Sequence, residues 1–442
     1  MVDVAILGGG PAGLAAAALL ARSGRAVTVL EREALIPAKA GETFGPRVRP
    51  LLRSIGVEEE VVAAAAVPFR GVRSAWGTAE LDDRPSVMHP LGEGWHVDRV
   101  RFEAALAGAA ERAGALVHRG AGACSAAREG DGFRVEIRGM GSLRARYVVD
   151  ASGRGSAASA RLEAGRTWLS FDRQIAVVLR MPLLPERALE PELLLESCEE
   201  GWWYAVPQPD RTLLLTLLTD ADLAGPRELH LQHALKALER TVHVARLAVE
   251  AGPPGTEPIT ARADTGFLVP DRGPGWRALG DAALGGDPLA GDGVKRAIQG
   301  ALDAAPEIER ELDGAPFEPP RPPAERIESY LRSRTIYYTA EQRWPDSLYW
   351  RRRQPIDFRA APLTLAPLER LRRGERKPDA PALARAEALL PRRALTAALE
   401  LLRDPQPAHA VLAEMRRAAP LDDRRLLVGL QLLVEDGLVC AG

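Results

Sequence analysis

Cysteine is nearly missing from these 442 residues: Cys124, Cys198 and Cys440 lie too far apart to form a disulfide framework or a metal-ligand cluster. Lysine is almost as scarce, with Lys39, Lys236, Lys295 and Lys377 the only four among 58 basic residues, so each can be weighed singly. Much of that arginine bias reads as genomic base composition. Neither sign of charge is in excess, and a formal net of −2 argues against broad attraction to nucleic acid or to an anionic membrane. No apolar run approaches the roughly 20 residues that span a bilayer. No basic leader with a small-residue cleavage site precedes the first apolar run, which sets the expectation of a cytoplasmic protein. Internal repeats and low-complexity arrays are also missing. The length allows a large core, divided into about two or three structural units.

What is present begins with VDVAILGGGPAGLAAAALLARSGRAVTVLER, residues 2–32. Val4 to Leu7 reads as a buried parallel strand, followed by Gly8, Gly10 and Gly13, an alanine-rich helix, and a second apolar run from Ala26 that ends at Glu31. Each part has a physical task in holding a dinucleotide. Gly8 permits the turn, Gly10 lets backbone approach a pyrophosphate, and Gly13 lets the helix pack closely on the strand. The helix N-terminus offers free amides and a positive dipole. Glu31 stands where a carboxylate accepts the hydroxyls of an adenosine ribose, and its charge would repel a 2′-phosphate, which favours FAD or NAD over NADP.

Further along, residues 38–57 read as a turn followed by a helix carrying Val48, Leu51, Leu52 and Ile55, and residues 69–77 as a strand. Residues 95–123 read as a helix and then a strand, and 133–139 with 143–153 as a hairpin ending at Asp150 and Gly153. Residues 166–263 change character: three strand-like runs and a charged helix predict an antiparallel sheet with covering helices. The chain then returns to the first domain at residues 264–312, where a strand ends at Gly280 and Asp281 and a glycine-rich turn leads into a helix starting near Gly293. The expected organisation is a first FAD-domain part over 1–165, a substrate-binding sheet layer over 166–263, and a second FAD-domain part over 264–312. An aromatic and basic connection over 313–375, entered through the proline-rich GAPFEPPRPP, leads to a helical domain over 376–442, in which Asp422 and Asp423 mark a helix start.

Three separated motifs, the first glycine turn, VDASGRGS (149–156) and ALGDAALGGDPLAGDGV (278–294), together resemble the FAD-binding set of the aromatic-hydroxylase-type (group A) flavoprotein monooxygenases. That family's relatives include flavin-dependent halogenases and geranylgeranyl reductases, and the resemblance covers residues 1–350. It implies an α/β fold with a Rossmann-like FAD domain and an antiparallel-sheet substrate domain; the helical C-terminal extension goes beyond that fold and resembles a winged-helix or docking module. It implies cofactor contacts from Gly8, Gly10, Pro11, Ala12, Gly13, Glu31 and Arg32 in the first motif. Asp281 would bind the ribityl or pyrophosphate side of FAD. Gly291, Asp292 and Gly293 would present amides to the pyrimidine end of the flavin, with Pro288 beside the ring. Arg99 matches the position that reaches the ribityl and phosphate region, with Arg101 its exposed neighbour unless the register shifts. In GETFGPRVRP, Glu42, Arg47 and Arg49 would meet the flavin's linker.

GWWYAVP, residues 201–207, resembles the strand that walls the substrate cavity. Alternation puts Trp202 and Tyr204 on one face and Trp203 on the other, with Trp76 on a neighbouring strand. His89 and His96 flank this layer, and neither is assigned as a general base.

Halogenases of this group use a lysine shortly after the glutamate-containing loop, and here no lysine lies between Lys39 and Lys236. Together with RWPDSLYWRRRQ (343–354), GETFGPRVRPLLR and GWWYAVP resemble flavoproteins that modify tryptophan in another protein during tryptophylquinone biogenesis, in the maturation of quinohemoprotein amine dehydrogenase and of lysine and glycine oxidases. The resemblance implies NAD(P)H as reductant, a flavin C4a-hydroperoxide with an electrophilic oxygen, and a tryptophan-containing protein or peptide as substrate. Halogenation, geranylgeranyl-reductase-like chemistry and an FAD-bound scaffold for a maturation partner remain the alternatives.

Overall fold

The computed structural model describes residues 1–36, 43–63, 67–86, 89–154, 166–186, 190–255, 257–320, 323–355, 363–365, 380–404 and 406–441. Two compact units emerge, one formed by Met1–Trp168 with Asp172–Pro319 and the other by Leu169–Phe171 with Pro320–Gly442.

The first unit opens with strand β1 (Val2–Leu7), helix α1 (Pro11–Arg22) and strand β2 (Val27–Glu31). These join a parallel sheet in the order Trp276–Ala278, Gly141–Asp150, β1, β2, Leu116–Arg119, with Arg272–Gly273 antiparallel at one edge. The apolar run of β1 is continuous because both its faces are covered. On one side lie α1 and the helices Arg99–Arg112 and Gly293–Leu312, whose alanines allow close approach. On the other, Ala5, Leu7 and Leu30 pack against Phe133, Val135 and Trp276, where the hairpin Ala123–Glu129 and Gly132–Ile137 extends from Gly141–Asp150.

A seven-stranded sheet forms the second layer of this unit, ordered Ile259–Arg262, Gln174–Pro182, Thr212–Asp220, Gly201–Pro207, Leu193–Cys198, Gly71–Ala75, Asp82–Pro85. Two of its strands come from residues 71–85, outside the 166–263 segment. One of them, Gly71–Ala75, runs parallel to Leu193–Cys198 in an otherwise antiparallel sheet. A parallel neighbour needs a long crossover, and the FAD layer supplies it. Helices His230–Leu238 and His243–Ala248 cover one face, burying Val177, Leu179, Trp203, Leu215 and Leu217. Glu196, buried on that side, caps the second helix: its carboxylate accepts the amides of Val242, His243 and Val244 at 2.7, 2.9 and 2.7 Å.

The second unit is helical. It contains Pro323–Thr339, Leu348–Arg351, Ala380–Leu389, Arg392–Leu401, Ala408–Ala418 and Asp423–Glu435, with an antiparallel pair Leu363–Leu365 and Val439–Ala441. Asp422 caps the last helix by accepting the Arg425 amide at 3.0 Å. Within RWPDSLYWRRRQ, the Arg353 guanidinium lies 3.6 Å from the Tyr349 ring centre and Trp344 stacks on Trp350. Among the described residues no helix is long and apolar enough to cross a membrane.

Candidate active site

Packing at glycines draws the three sequence motifs together. Gly8 has φ +113°, and a Cβ there would stand 2.4 Å from the Ala151 carbonyl oxygen, so the first turn lies directly against VDASG. A Cβ on Gly13 would stand 2.1 Å from the Gly8 carbonyl oxygen, which is the close helix-to-turn approach the sequence pattern required. Gly280, with φ +58°, sits where a Cβ would be 2.8 Å from the Ala12 methyl, bringing the Gly280–Asp281 turn against the first turn of α1. The backbone repeats this convergence: Ala151 donates to Leu7, and Leu279 to Asp150, both at 2.8 Å.

Other glycines face open space. Among the described residues, and apart from their own chain neighbours and local helix backbone, Gly10, Gly291 and Gly293 have no heavy atom within 4 Å of a notional Cβ. Gly10 is the N-cap of α1, with Pro11 at the first helical position and no acidic residue or capping side chain in the first turn. The helix Gly293–Leu312 likewise begins without a side-chain cap, because Asp292 turns to Arg296 at 3.0 Å. Two helix N-termini thus leave their first-turn amides to a ligand. Glu31 accepts the Gly9 amide on Oε2 at 2.6 Å and the Glu33 amide on Oε1 at 2.9 Å, and a carboxylate with two such bonds retains lone pairs for ribose hydroxyls. Open glycines, uncapped helix starts and an oriented carboxylate suit an anionic dinucleotide.

The remaining cofactor candidates occupy varied surroundings. Asp281 is partly exposed and pairs with Arg154 at 3.0 Å. Pro288 opens a short turn in which Asp287 accepts the Leu289 amide at 3.0 Å, and Gly291 closes it at φ +58°. Arg99 is nearly buried and bonds Glu103 at 2.7 Å, whereas Arg101 is exposed. Arg32 is exposed against Glu33. Arg49 lies over the Trp95 ring and pairs with Glu58, and Arg47 is exposed. Glu42 and Lys39 lie outside the described residues.

On the face of the seven-stranded sheet opposite the covering helices, Trp202, itself buried, meets the half-buried Trp76 edge to face at 6.0 Å and Tyr204 at 6.2 Å between ring centres. Trp203 points the other way, into the core beneath the helices. Beside Tyr204 in register stands Thr216, a fully buried hydroxyl with no hydrogen-bond partner among the described residues. His96 is fully buried with Nδ1 3.0 Å from the Thr43 hydroxyl, and burial pushes its pKa down to about 4, so the ring is neutral. His89 uses Nδ1 to accept the Leu91 amide. Among the described residues no group of His, Cys, Asp or Glu is placed to hold a metal.

Sequence reasoning missed Arg154, Arg296, Glu196 and Thr216. Arg154 even lies inside a quoted motif, but one arginine among so many carries little signal.

Residues 1–250 match the FAD binding domain family. The FAD-dependent oxidoreductase LodB of Marinomonas mediterranea is 29% identical over 367 residues, spanning 79% of this chain and 96% of its own. Among solved structures, the myxobacterial chondrochloren halogenase CndH is similar with a TM-score of 0.70 at 23% identity, covering 99% of each chain. The peptidyl tryptophan dihydroxylase QhpG is similar with a TM-score of 0.64 at 24% identity, covering 81% of each. These two likenesses concern the fold. The chain belongs to the FAD binding domain family, and FAD is its cofactor.

Proposed function

We propose that the protein is an FAD-dependent monooxygenase that hydroxylates a tryptophan side chain of a partner protein or peptide during quinone cofactor maturation. The observation that carries this reading is the aromatic cluster of Trp76, Trp202 and Tyr204 on the sheet face opposite the covering helices in an FAD protein. The extent of the match to LodB supports an FAD-dependent oxidoreductase, and the tryptophan substrate is suggested by the fold shared with QhpG, a peptidyl tryptophan dihydroxylase essential for tryptophylquinone cofactor biogenesis.

Once reduced by NAD(P)H and exposed to O₂, bound FAD supplies an electrophilic oxygen, and an electron-rich indole is a suitable acceptor. The chain's own residues bind and orient. Gly8, Gly10, Pro11, Ala12, Gly13, Glu31 and Asp281 would hold the nucleotide, and the amides of Gly291 and Gly293 would stabilise negative charge on it. Trp76 and Tyr204, both half-buried, would present flat surface to an indole, with the buried Trp202 packed behind them. The Thr216 and Tyr204 hydroxyls give that surface its polar points. The C-terminal helical unit serves contact with the partner protein.

A second reading, halogenation, is favoured by the fold shared with CndH. Of the two described lysines, Lys236 is exposed on a helix covering the opposite sheet face, and Lys295 lies 4.0 Å from Asp292. A tryptophan-containing partner peptide should stimulate NADH oxidation by the FAD-loaded protein and emerge heavier by oxygen. Partner binding without stimulation would leave a scaffold, and a chlorine isotope pattern would leave a halogenase.

A further inference from the structure

Arg154 follows Gly153 in the loop after Gly141–Asp150, with its side chain 13% exposed. Its guanidinium bonds to three separate stretches of chain. Nε donates to Asp281 Oδ2 at 3.0 Å, Nη1 to the Asp264 carbonyl at 2.9 Å, and Nη2 to the Gly286 carbonyl at 2.7 Å. Its stem lies on Gly285, where a Cβ would come within 3.2–3.3 Å of Nε, Cδ and Cγ. Arg296 presses on the same loop: a Cβ on Gly286 would be 2.2 Å from its Nη1, and its Nη2 stands 4.0 Å from Asp281 Oδ1. Each oxygen of Asp281 therefore faces a guanidinium, and both arginines pack closely on the Gly285–Gly286 backbone.

The Asp264 end of this clip reaches the other layer. Asp264 comes just after Ile259–Arg262, the edge strand of the seven-stranded sheet, and its own carboxylate is held by Arg262 at 2.7 and 3.0 Å. Asp172 Oδ1 accepts the amides of both Thr265 and Gln174 at 3.1 Å, locking this turn to the start of the next strand. One planar side chain thus joins the FAD-side loop to the edge of the aromatic-walled sheet. A guanidinium has five donors in a fixed fork, so it can meet three acceptors at once, which a lysine ammonium on a flexible stem does poorly.

We propose that Arg154 is a positioning residue for FAD: it acts through Asp281, fixing that carboxylate and the Gly285–Gly286 backbone, and it ties their loop to the edge of the substrate sheet. This rests on the reading of Asp281 as a contact to FAD.

The test is titration of FAD into the apo-protein, followed by flavin fluorescence and the visible circular dichroism of the bound flavin. The variants are Arg154→Gln, Arg154→Lys, Asp281→Asn and the double variant Arg154→Gln/Asp281→Asn, with far-ultraviolet circular dichroism to establish folding. Arg154→Gln is expected to weaken FAD binding about tenfold or more, as loss of an outer supporting partner does at other sites. Arg154→Lys should recover only part of this and should alter the flavin dichroism. The double variant should bind FAD within about threefold of Asp281→Asn alone, because two residues acting through one contact are not additive. Wild-type affinity in Arg154→Gln or Arg154→Lys, or losses that multiply in the double variant, would overturn the proposal. Wild-type affinity in Asp281→Asn would remove the reading beneath it, an outcome distinct from failure at Arg154.

Discussion

Gly9 donates its amide to Glu31 Oε2 at 2.6 Å, so the turn after β1 and the last residue of β2 are held by one charge-assisted hydrogen bond. The carboxylate that would receive a ribose also shapes the turn that would receive the pyrophosphate. Glu31→Ala should therefore lose FAD affinity by about tenfold or more, and Glu31→Gln by less, since an amide oxygen still accepts the Gly9 amide but without charge. Calorimetric titration of apo-protein with FAD measures this. Equal affinity in Glu31→Ala and wild type would remove Glu31 from the site.

Gly10 and Gly13 separate cofactor approach from folding. Gly10 has an ordinary φ of −87° and open space at its Cβ position, so Gly10→Ala should leave apo-protein stability within about 0.5 kcal/mol while weakening FAD binding strongly. Gly13→Ala would drive a methyl to 2.1 Å from the Gly8 carbonyl oxygen and should cost the apo-protein about 1–3 kcal/mol through overpacking. Urea unfolding of the FAD-free proteins distinguishes the two. A Gly13→Ala protein as stable as wild type would contradict the packing described.

Trp203, on Gly201–Pro207, and Trp76, just after Gly71–Ala75, should behave differently. Trp203 is fully buried beneath the helices, and Trp203→Ala should destabilise by about 3–5 kcal/mol. Trp76 is only half-buried at the wall, so Trp76→Ala should cost less stability and instead reduce NADH oxidation stimulated by a tryptophan-containing peptide. Thermal unfolding with steady-state kinetics reads both. Unimpaired stimulation in Trp76→Ala would take the aromatic wall out of substrate binding.

His96 makes stability depend on acid. Its folded pKa of about 4 lies below the ordinary value of 6.5, so between those values the unfolded chain binds the proton and the folded one does not. Stability from the neutral ring is complete above about pH 6.5 and is lost as pH falls through that window, amounting to about 3 kcal/mol by pH 4. In His96→Gln this component disappears, so the stability gap between wild type and variant should close by roughly that amount from pH 7 to pH 4. Parallel slopes in urea unfolding across that range would show that His96 takes up its proton as readily when folded.

The first βαβ unit was legible because its glycine spacing, apolar run and terminal Glu31 are local signals, and the structure has them at Val2–Leu7, Pro11–Arg22 and Val27–Glu31. The opposite facing of Trp202 and Trp203 followed from strand alternation alone. The place of Gly71–Ala75 in the second sheet was not legible, because parallel pairing with Leu193–Cys198 joins segments distant in sequence. Glu196 and Arg154 stayed hidden for a related reason. Apart from the Asp281 carboxylate, their partners, three amides at Val242 to Val244 and the carbonyls of Asp264 and Gly286, are backbone groups that carry no residue-type signal.

Turnover under ¹⁸O₂ tests the proposed chemistry most directly. The FAD-loaded protein, NADH and a tryptophan-containing partner peptide would be incubated with chloride and bromide present, and the peptide analysed by mass spectrometry. Hydroxylation predicts that each oxygen gained on the indole carries the heavy isotope, with no halogen incorporated. A peptide bearing chlorine or bromine, or one unchanged while NADH is consumed at the rate seen without it, would contradict it.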